Sequence, residues 1–250
     1  MLFLAHTAHC QFLGLIVGFL AWILTLTTAG LNEWRLWYVS DKSVVTSGVA
    51  WVGIWRTCFY SHAMPKIENC QSISVSADFL PVEIPVAQVL MTLAVICGLG
   101  GNIGGALAMR MAYFSVDDRR SIRLHFVLAG LLYLLTATLS LVPLVWNMTS
   151  VLNNSTIDFP PEFQLPAAPV SQKIGSAIGV GMMASIMMLL SGMVFLCYQY
   201  VWHTVRSESP TDPMNSSLVA TALSHPSETF KHDRSRGGVD NPAFHIEEIS

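Results

Sequence analysis

Four long runs of apolar and small residues dominate the chain. They span residues 12–31, 85–109, 124–145 and 174–201, and none of them contains Asp, Glu, Lys or Arg. A bilayer core of about 30 Å needs about 20 such residues in a helix that rises roughly 1.5 Å per residue. The pattern therefore predicts four transmembrane helices.

The segments between the runs are unequal. Loops cover residues 32–84, 110–123 and 146–173, and a polar tail of residues 203–250, rich in Ser, Thr and Pro, follows the four-span domain of residues 1–202. Such a tail is typical of disorder. The shortest loop contains four arginines: Arg110, Arg119, Arg120 and Arg123. The positive-inside rule makes that loop cytoplasmic, so both termini are predicted to be cytoplasmic and both larger loops extracellular.

The overall composition agrees with a membrane protein. Charged residues make up 12% of the chain, the mean hydropathy is +0.51 and the net charge is −3. These values predict contact with membrane lipid and exclude nucleic acid as a partner. Uncharged spans argue against a transporter. No spacing of a nucleophile, base and acid indicates an enzyme, and we expect no cofactor and no metal site.

The first apolar run has a second interpretation, a cleaved signal peptide. No Lys or Arg precedes it, and Ala29-Gly30 resembles a small-residue cleavage site. However, the run is longer than the usual signal-peptide core of about 7–15 residues. We therefore favour a retained first helix.

The first loop is unusually aromatic. Trp34, Trp37, Trp51 and Trp55 are four of the seven tryptophans in the chain. Around them, residues 35–39 and 49–55 are rich in β-branched and aromatic side chains, which favours strands. The loop is predicted to form a packed extracellular sheet or to insert rings into the outer leaflet, and an interfacial aromatic belt is the simpler alternative.

Two cysteines, Cys58 and Cys70, lie in this loop. On the extracellular side of the membrane they face oxidising conditions, which predicts a disulfide. Closing so short a loop stabilises the fold by about 3 kcal/mol on the chain-entropy estimate. A zinc site is a poor alternative because the pair has no companion ligands.

These residues resemble the claudin signature, a Trp followed by Gly-Leu-Trp-x-x-Cys and a second Cys. The matching residues are Trp34, Arg35, Gly53, Ile54, Trp55, Cys58 and Cys70. The resemblance covers most of residues 8–202. It implies a left-handed four-helix transmembrane bundle with a small extracellular antiparallel sheet. It also implies a plasma-membrane protein of bicellular tight junctions that binds itself and other claudins, both within one membrane (cis) and across the gap (trans).

The chain also departs from the claudin pattern. The interval between the two cysteines is longer than usual, and residues 81–88 lack the Arg that claudins generally place at the outer end of the second helix. The chain finishes Glu-Glu-Ile-Ser, without the terminal Tyr-Val that binds PDZ scaffolds. Binding to such scaffolds is therefore doubtful.

The resemblance suggests roles for three further loop residues. Asp78 is the charged residue between Gln71 and Leu80 and is expected to face a paracellular passage. A carboxylate there would favour cations, although a barrier fits equally well. Phe159 and Phe163 are expected to make trans contacts, by analogy with the aromatic second loop of claudins.

Two other classes of four-span protein compete with this interpretation. Auxiliary subunits of receptors and channels share the Gly-Leu-Trp-x-x-Cys pattern, so the motif does not separate them from claudins. Tetraspanin-type organisers fit less well, because their large cysteine-rich loop precedes the last helix. Here the large loop, residues 32–84, follows the first helix.

A glycine-rich segment lies inside the second run. Its glycines, spaced four apart, are Gly100, Gly101, Gly104 and Gly105. A phosphate loop needs a preceding strand and polar access, whereas small residues at this spacing let a neighbouring helix approach closely. Gly175 and Gly179 in the fourth run are the expected counterpart.

Two kinds of modification are also predicted. Cys10 and Cys197 lie near the cytoplasmic ends of the first and fourth helices, where S-palmitoylation competes with the alternative of ordinary buried thiols. In the third loop, Asn153 and Asn154 each begin an Asn-x-Ser/Thr acceptor sequence. Asn147 begins another, close to the bilayer, and Asn215 begins one in the predicted cytoplasmic tail.

Overall fold

The computed structural model describes residues 2–40, 42–61, 64–114, 119–166 and 168–207. Four long helices occupy most of this part of the chain: α1 Leu2–Gly30, α2 Glu83–Phe114, α3 Arg119–Leu152 and α4 Ser176–Ser207. The helix α4 continues through residues 203–207, which were predicted to begin the disordered tail. The rest of that tail, with Asn215, lies outside the described residues.

The helices are longer than the apolar runs that predicted them. The helix α3 continues from Val145 to Leu152, and α2 begins at Glu83 rather than Pro85. Both extensions turn polar side chains inward: Glu83, Asn147 and Ser150 are buried. Hydropathy ends a span where polarity begins, whereas the helix continues for as long as its polar groups find partners.

Within the part of the chain that the structure describes, five strands form one antiparallel sheet: β1 Arg35–Tyr38, β2 Val49–Val52, β3 Arg56–Ser61, β4 Met64–Ser72 and β5 Ser171–Ile174. Their spatial order is β4-β3-β2-β1-β5. The first loop thus supplies four strands, of which its β-branched and aromatic segments had indicated β1 and β2. The fifth comes from the second large loop, and its Ser-Gln-Lys-Ile sequence carries no strand pattern. The segment is a strand because it pairs with β1, from Arg35↔Ile174 to Tyr38↔Ser171.

One face of the sheet has its own core. Trp37, Phe59 and Ile73 are buried there together with Ile84 at the start of α2. Trp37 packs edge-on against Phe159, with ring centroids 5.3 Å apart. The aromatic first loop is therefore a packed sheet with an interior, rather than a belt of rings in the lipid headgroups.

Glycines set the close contacts inside the helix bundle. A Cβ atom at Gly101 would lie 3.0 Å from the ring of Tyr133, and one at Gly104 would lie 3.6 Å from Ala129, both on α3. At Gly105 it would lie 3.0 Å from Leu15 of α1. At Gly100 the nearest atom belongs to Leu132, at 3.5 Å. The glycine-rich segment of α2 thus faces its neighbours, chiefly α3.

The expectation that Gly175 and Gly179 make the matching close helix contact is wrong. A Cβ atom at Gly179 would meet nothing within 4 Å, and Gly175 precedes the helix, against the backbone of Glu33. The close approach between α3 and α4 is made instead by Gly130 and Gly192. A Cβ atom at Gly130 would lie 3.2 Å from the carbonyl oxygen of Gly192, and one at Gly192 would lie 3.1 Å from the carbonyl oxygen of Gly130. These two glycines are isolated in the sequence, so spacing gave no signal for them.

Replacing Gly192 should therefore destabilise the bundle. In Gly192→Val, the new Cβ lies 2.8 Å from Leu134 and 3.1 Å from the Gly130 carbonyl oxygen, so α3 and α4 must separate. Overpacking of this kind costs about 1–3 kcal/mol. The matched control is Gly179→Val on the same helix. Thermal unfolding in detergent, followed by tryptophan fluorescence, should show a lower midpoint for Gly192→Val alone, and equal midpoints would contradict this packing.

Candidate functional site

The sheet is joined to the bundle at Trp34 and Arg35. The helix α1 ends at Gly30 and β1 begins at Arg35, so these two residues lie where the chain leaves the membrane. The Trp34 indole Nε1 donates a hydrogen bond to the carbonyl oxygen of Thr28, at 3.0 Å. Its ring is buried beside Ile54 and Ala87. Trp34 thus fixes the start of the sheet to both α1 and α2.

Arg35 carries a buried positive charge into the same junction. Its Nη2 atom donates to Glu83 Oε1 at 3.1 Å and to Asn147 Oδ1 at 2.8 Å. Ser150 Oγ donates to the same Glu83 oxygen at 2.6 Å. The Arg35 and Glu83 side chains are only 1% and 11% exposed. One side chain on β1 is therefore held by partners from α2 and α3.

Electrostatics explains why these partners are needed. Burial lowers the pKa of the Arg35 guanidinium, and the hydrogen bond and charge of Glu83 partly restore it. A guanidinium keeps its proton in proteins, so the charge persists in the folded state. Removing one member of a buried ion pair typically costs about 3–5 kcal/mol because the other charge is left unpaired.

The Gly53-Ile54-Trp55 turn between β2 and β3 packs onto the membrane helices. A Cβ atom at Gly53 would lie 2.8 Å from the Cα of Asn32, so a larger residue would push the turn away from the end of α1. Ile54 is buried against Ala87 and Met91 of α2. Trp55, by contrast, is 38% exposed. It therefore lacks the enclosed packing of Trp34.

Gln88 of α2 supplies a contact that sequence reasoning missed. Its Nε2 atom donates to the carbonyl oxygens of Ile54, at 2.6 Å, and Ile73, at 3.2 Å. These carbonyls belong to the β2–β3 turn and to the segment after β4. Gln88 lies in the segment where the claudin pattern has an Arg, and its amide ties α2 to both ends of the β3–β4 hairpin.

The predicted disulfide is confirmed. Cys58 and Cys70 lie directly opposite each other on β3 and β4, and their sulfurs are bonded at 2.05 Å. Glu68 places a carboxylate oxygen within 4.8 Å of both sulfurs. With both sulfurs in the disulfide, no thiolate is left at this position for a metal.

The expected trans contacts of Phe159 and Phe163 need correction. The two side chains are only 9% and 8% exposed, and their ring centroids lie 5.2 Å apart. Phe79 packs against both, at 6.0 and 5.4 Å. The rings fill the core beneath the sheet, so they support the second large loop from inside and leave little surface for another molecule.

Other candidate residues remain accessible. Asp78 is exposed, and so are Asn153 and Asn154 at the end of α3. The free thiols of Cys10 and Cys197 are exposed too. The Asn147 acceptor sequence is different, because its side chain is buried and bonded to Arg35.

Exposed apolar side chains lie at both ends of the sheet. At one end, the edge strand β4 carries Ile67, whose side chain is 61% exposed. At the other end, a groove of about 450 Å³ separates the end of α3 from the edge strand β5. Leu152 and Val170 line it and are each 67% exposed. We call these the β4 face and the β5 groove.

These features define a class of membrane protein. Within the described residues, four helices are long and apolar enough to cross a membrane: His9–Gly30, Glu83–Phe114, Arg120–Leu152 and Ser176–Cys197. A small disulfide-bonded sheet lies at one end of them. The molecule is thus a four-span helical membrane protein with a sheet held at the bundle by a buried ion pair.

Comparison with known proteins places this class in a family. The family model described as PMP-22/EMP/MP20/Claudin tight junction matches residues 19–197, and the chain belongs to that family. Dog claudin-2 is 29% identical over 190 residues, covering 75% of this chain and 77% of the relative. Dog claudin-3 is 25% identical over 186 residues (74% and 80%), and human claudin-6 is 24% identical over 193 residues (76% and 82%).

Membership of the family confirms several sequence predictions. The fold is a claudin-type four-span membrane fold, and the chain is a structural protein of tight junctions rather than an enzyme. It is a multi-pass membrane protein whose partners include claudins in general.

The Arg35–Glu83 pair gives a direct test of the junction. Glu83→Ala should lower the stability by about 3–5 kcal/mol, because it leaves the buried guanidinium without its counter-charge. The double variant Arg35→Met/Glu83→Leu should lose much less than the sum of Arg35→Met and Glu83→Leu, since neither buried charge remains. Thermal unfolding midpoints of Arg35→Met, Glu83→Leu and the double variant measure this coupling.

The control is Glu68→Ala, which removes an exposed carboxylate that accepts a hydrogen bond from Tyr60. It should leave the midpoint almost unchanged. Additive losses in the double variant would show that Arg35 and Glu83 do not depend on each other.

Proposed function

We propose that this chain builds rows of molecules in tight junctions by joining the β4 face of one copy to the β5 groove of the next. Family membership supports the junctional role. The observation that supports this mode of association is that the two ends of one sheet differ in shape, one an edge strand and the other a groove, and that both carry exposed apolar side chains.

The proposal places the sheet outside the cell and both termini inside. Arg110, Arg120 and Arg123 lie at the ends of α2 and α3 that are opposite the sheet. The positive-inside rule assigns these helix ends to the cytoplasm. The Cys58–Cys70 disulfide supports the same orientation, because disulfides persist on the oxidising side of the membrane.

Apolar side chains outside the membrane favour a protein partner. Ile67 on β4 and Val170 beside β5 are largely exposed on the sheet domain, and burying them against a neighbouring molecule would remove apolar surface from water. Both edge strands also leave backbone N–H and C=O groups available for pairing. Extended segments of a neighbouring molecule commonly bind such edges.

The two ends differ, and that difference determines the kind of assembly. A contact between unlike surfaces is heterologous, and it produces open rows unless the rotation closes a ring. Each copy would present its β4 face in one direction and its β5 groove in the other. A second copy of this chain, or another claudin, is the occupant that supplies the matching surface.

The same rows would provide adhesion and a paracellular seal or passage. Asp78 is exposed just before the second helix and is the residue we propose for biasing such a passage towards cations. Adhesion is proposed to be independent of calcium.

An auxiliary subunit of a receptor or channel is the alternative function. The family description names PMP-22, EMP and MP20 beside claudins, so the family includes proteins other than claudins. An auxiliary subunit would use one surface of the sheet on a different protein. It would not need two complementary ends.

Mixing two variants tests the row model. Leu152→Ser/Val170→Ser makes the β5 groove polar, and Ile67→Ser does the same to the β4 face. Each variant alone should lose most cross-linked self-association in cells, because every contact in a row needs both surfaces. Together they should recover dimers without longer oligomers, since the two intact surfaces can meet only once.

The matched control is Val44→Ser, an exposed apolar residue of the first loop at neither end of the sheet. It should assemble like the unmodified chain. Two outcomes would contradict the model: oligomers that persist in both single variants, or a mixture that recovers no dimers. In either case, co-purification with a channel or receptor would show that the chain is an auxiliary subunit.

A further inference from the structure

Three acceptor asparagines lie close together in the sequence but in very different surroundings. Asn147 is buried, its Oδ1 accepts a hydrogen bond from Arg35, and its Nδ2 donates to the carbonyl oxygen of Pro143 at 3.0 Å. A glycan on that amide would not fit the folded junction, because both ends of the Asn147 amide are already hydrogen-bonded inside it. Asn153 and Asn154 are exposed, and their side chains make no hydrogen bond to any other described residue.

The backbone presents Asn154 in particular. Residue 154 follows the end of α3, and its φ of 56° is in the left-handed region that asparagine tolerates better than most residues. Its N–H donates to the carbonyl oxygen of Val151 at 3.0 Å, which fixes the turn. The side chain is therefore displayed on a defined turn.

The height of this turn above the membrane also suits modification. Asn153 is eight residues beyond Val145, the last residue of the apolar run, which corresponds to about 12 Å of helix. The headgroup region adds only about 5–8 Å to each side of the hydrocarbon core. The acceptor therefore stands clear of the lipid on the proposed extracellular side.

Asn154 also lines the β5 groove, opposite Val170 and Ser171. Gln172 of β5 donates through Nε2 to the carbonyl oxygen of Ser155, at 3.0 Å. The turn that carries Asn154 is thus attached to the edge strand itself. Anything bulky on this side chain would lie over the groove.

We propose that Asn154 is an N-glycosylation site and that its glycan closes the β5 groove to a second copy; this inference rests on the proposed row model. In the lumen of the secretory pathway, the Asn154 amide nitrogen attacks the anomeric carbon of a lipid-pyrophosphate-linked oligosaccharide. The new N–C bond forms as the C–O bond to the pyrophosphate breaks, the lipid pyrophosphate leaves, and the amide loses one proton to the enzyme's base.

A glycosylated copy keeps its β4 face but cannot use its β5 groove. It can therefore end a row and cannot extend one in both directions. The mean length of a row then falls as the glycosylated fraction rises, because each glycan terminates a row. The fraction of copies that carry the glycan therefore sets the length of the rows, with no change in the amount of protein.

The first experiment maps the site in cells that express the full chain. Glycosidase treatment should increase the mobility of the unmodified chain on a gel. Thr156→Ala removes the Asn154 acceptor without altering the left-handed residue, and it should abolish this shift. Ser155→Ala removes only the Asn153 acceptor, and Thr149→Ala removes only the Asn147 acceptor, so both should keep the shift. No shift in the unmodified chain, or a shift that survives Thr156→Ala, overturns the assignment.

The second experiment counts glycans on cross-linked dimers of the unmodified chain. Each dimer uses one β5 groove, so dimers with no glycan or one glycan should occur and dimers with two should be absent. Thr156→Ala should give longer oligomers than the unmodified chain. Dimers carrying two glycans, or oligomers of unchanged length, overturn the proposed closure while leaving the row model standing. Failure of Thr156→Ala to self-associate at all would instead overturn the row model, and this inference with it.

Discussion

The position of the sheet on the helix bundle depends on one buried charge. Arg35 stands at the first residue of β1, and its guanidinium reaches Glu83 on α2 and Asn147 on α3. A charge that is 1% exposed needs compensation, and the partners come from two different helices. The sheet can therefore not shift on the bundle without separating this charge from its partners. That restraint keeps both ends of the sheet at a fixed height above the membrane.

Other contacts near this ion pair also join the sheet to the helices. Trp34 bonds to the end of α1, Gly53 lets the β2–β3 turn lie against that end, and Gln88 holds two carbonyls of the sheet domain. The Cys58–Cys70 disulfide then joins β3 to the edge strand β4. A rigid path thus leads from the membrane helices to each edge. Such rigidity suits rows, because the angle between successive copies must be reproducible.

Local patterns predicted the parts of the structure that local physics determines. Uncharged runs located the four spans, and the aromatic segment around Trp37 indicated strands. The partners of Arg35 could not be predicted from local patterns, because Glu83 and Asn147 lie 48 and 112 positions away along the chain. Aromatic residues in a loop do not show which way they face, so the burial of Phe159 became evident only from the core beneath the sheet. The strand β5 is likewise defined by its partner rather than by its own composition.

Freeze-fracture imaging tests the central claim most directly. The untagged chain would be expressed in fibroblasts that contain no claudins, with surface delivery checked separately. The row model predicts continuous strands of particles at cell contacts, because every copy without a glycan on Asn154 presents both complementary surfaces. Abundant surface protein without strands would contradict autonomous assembly. It would show that the sheet needs a different partner, as an auxiliary subunit does.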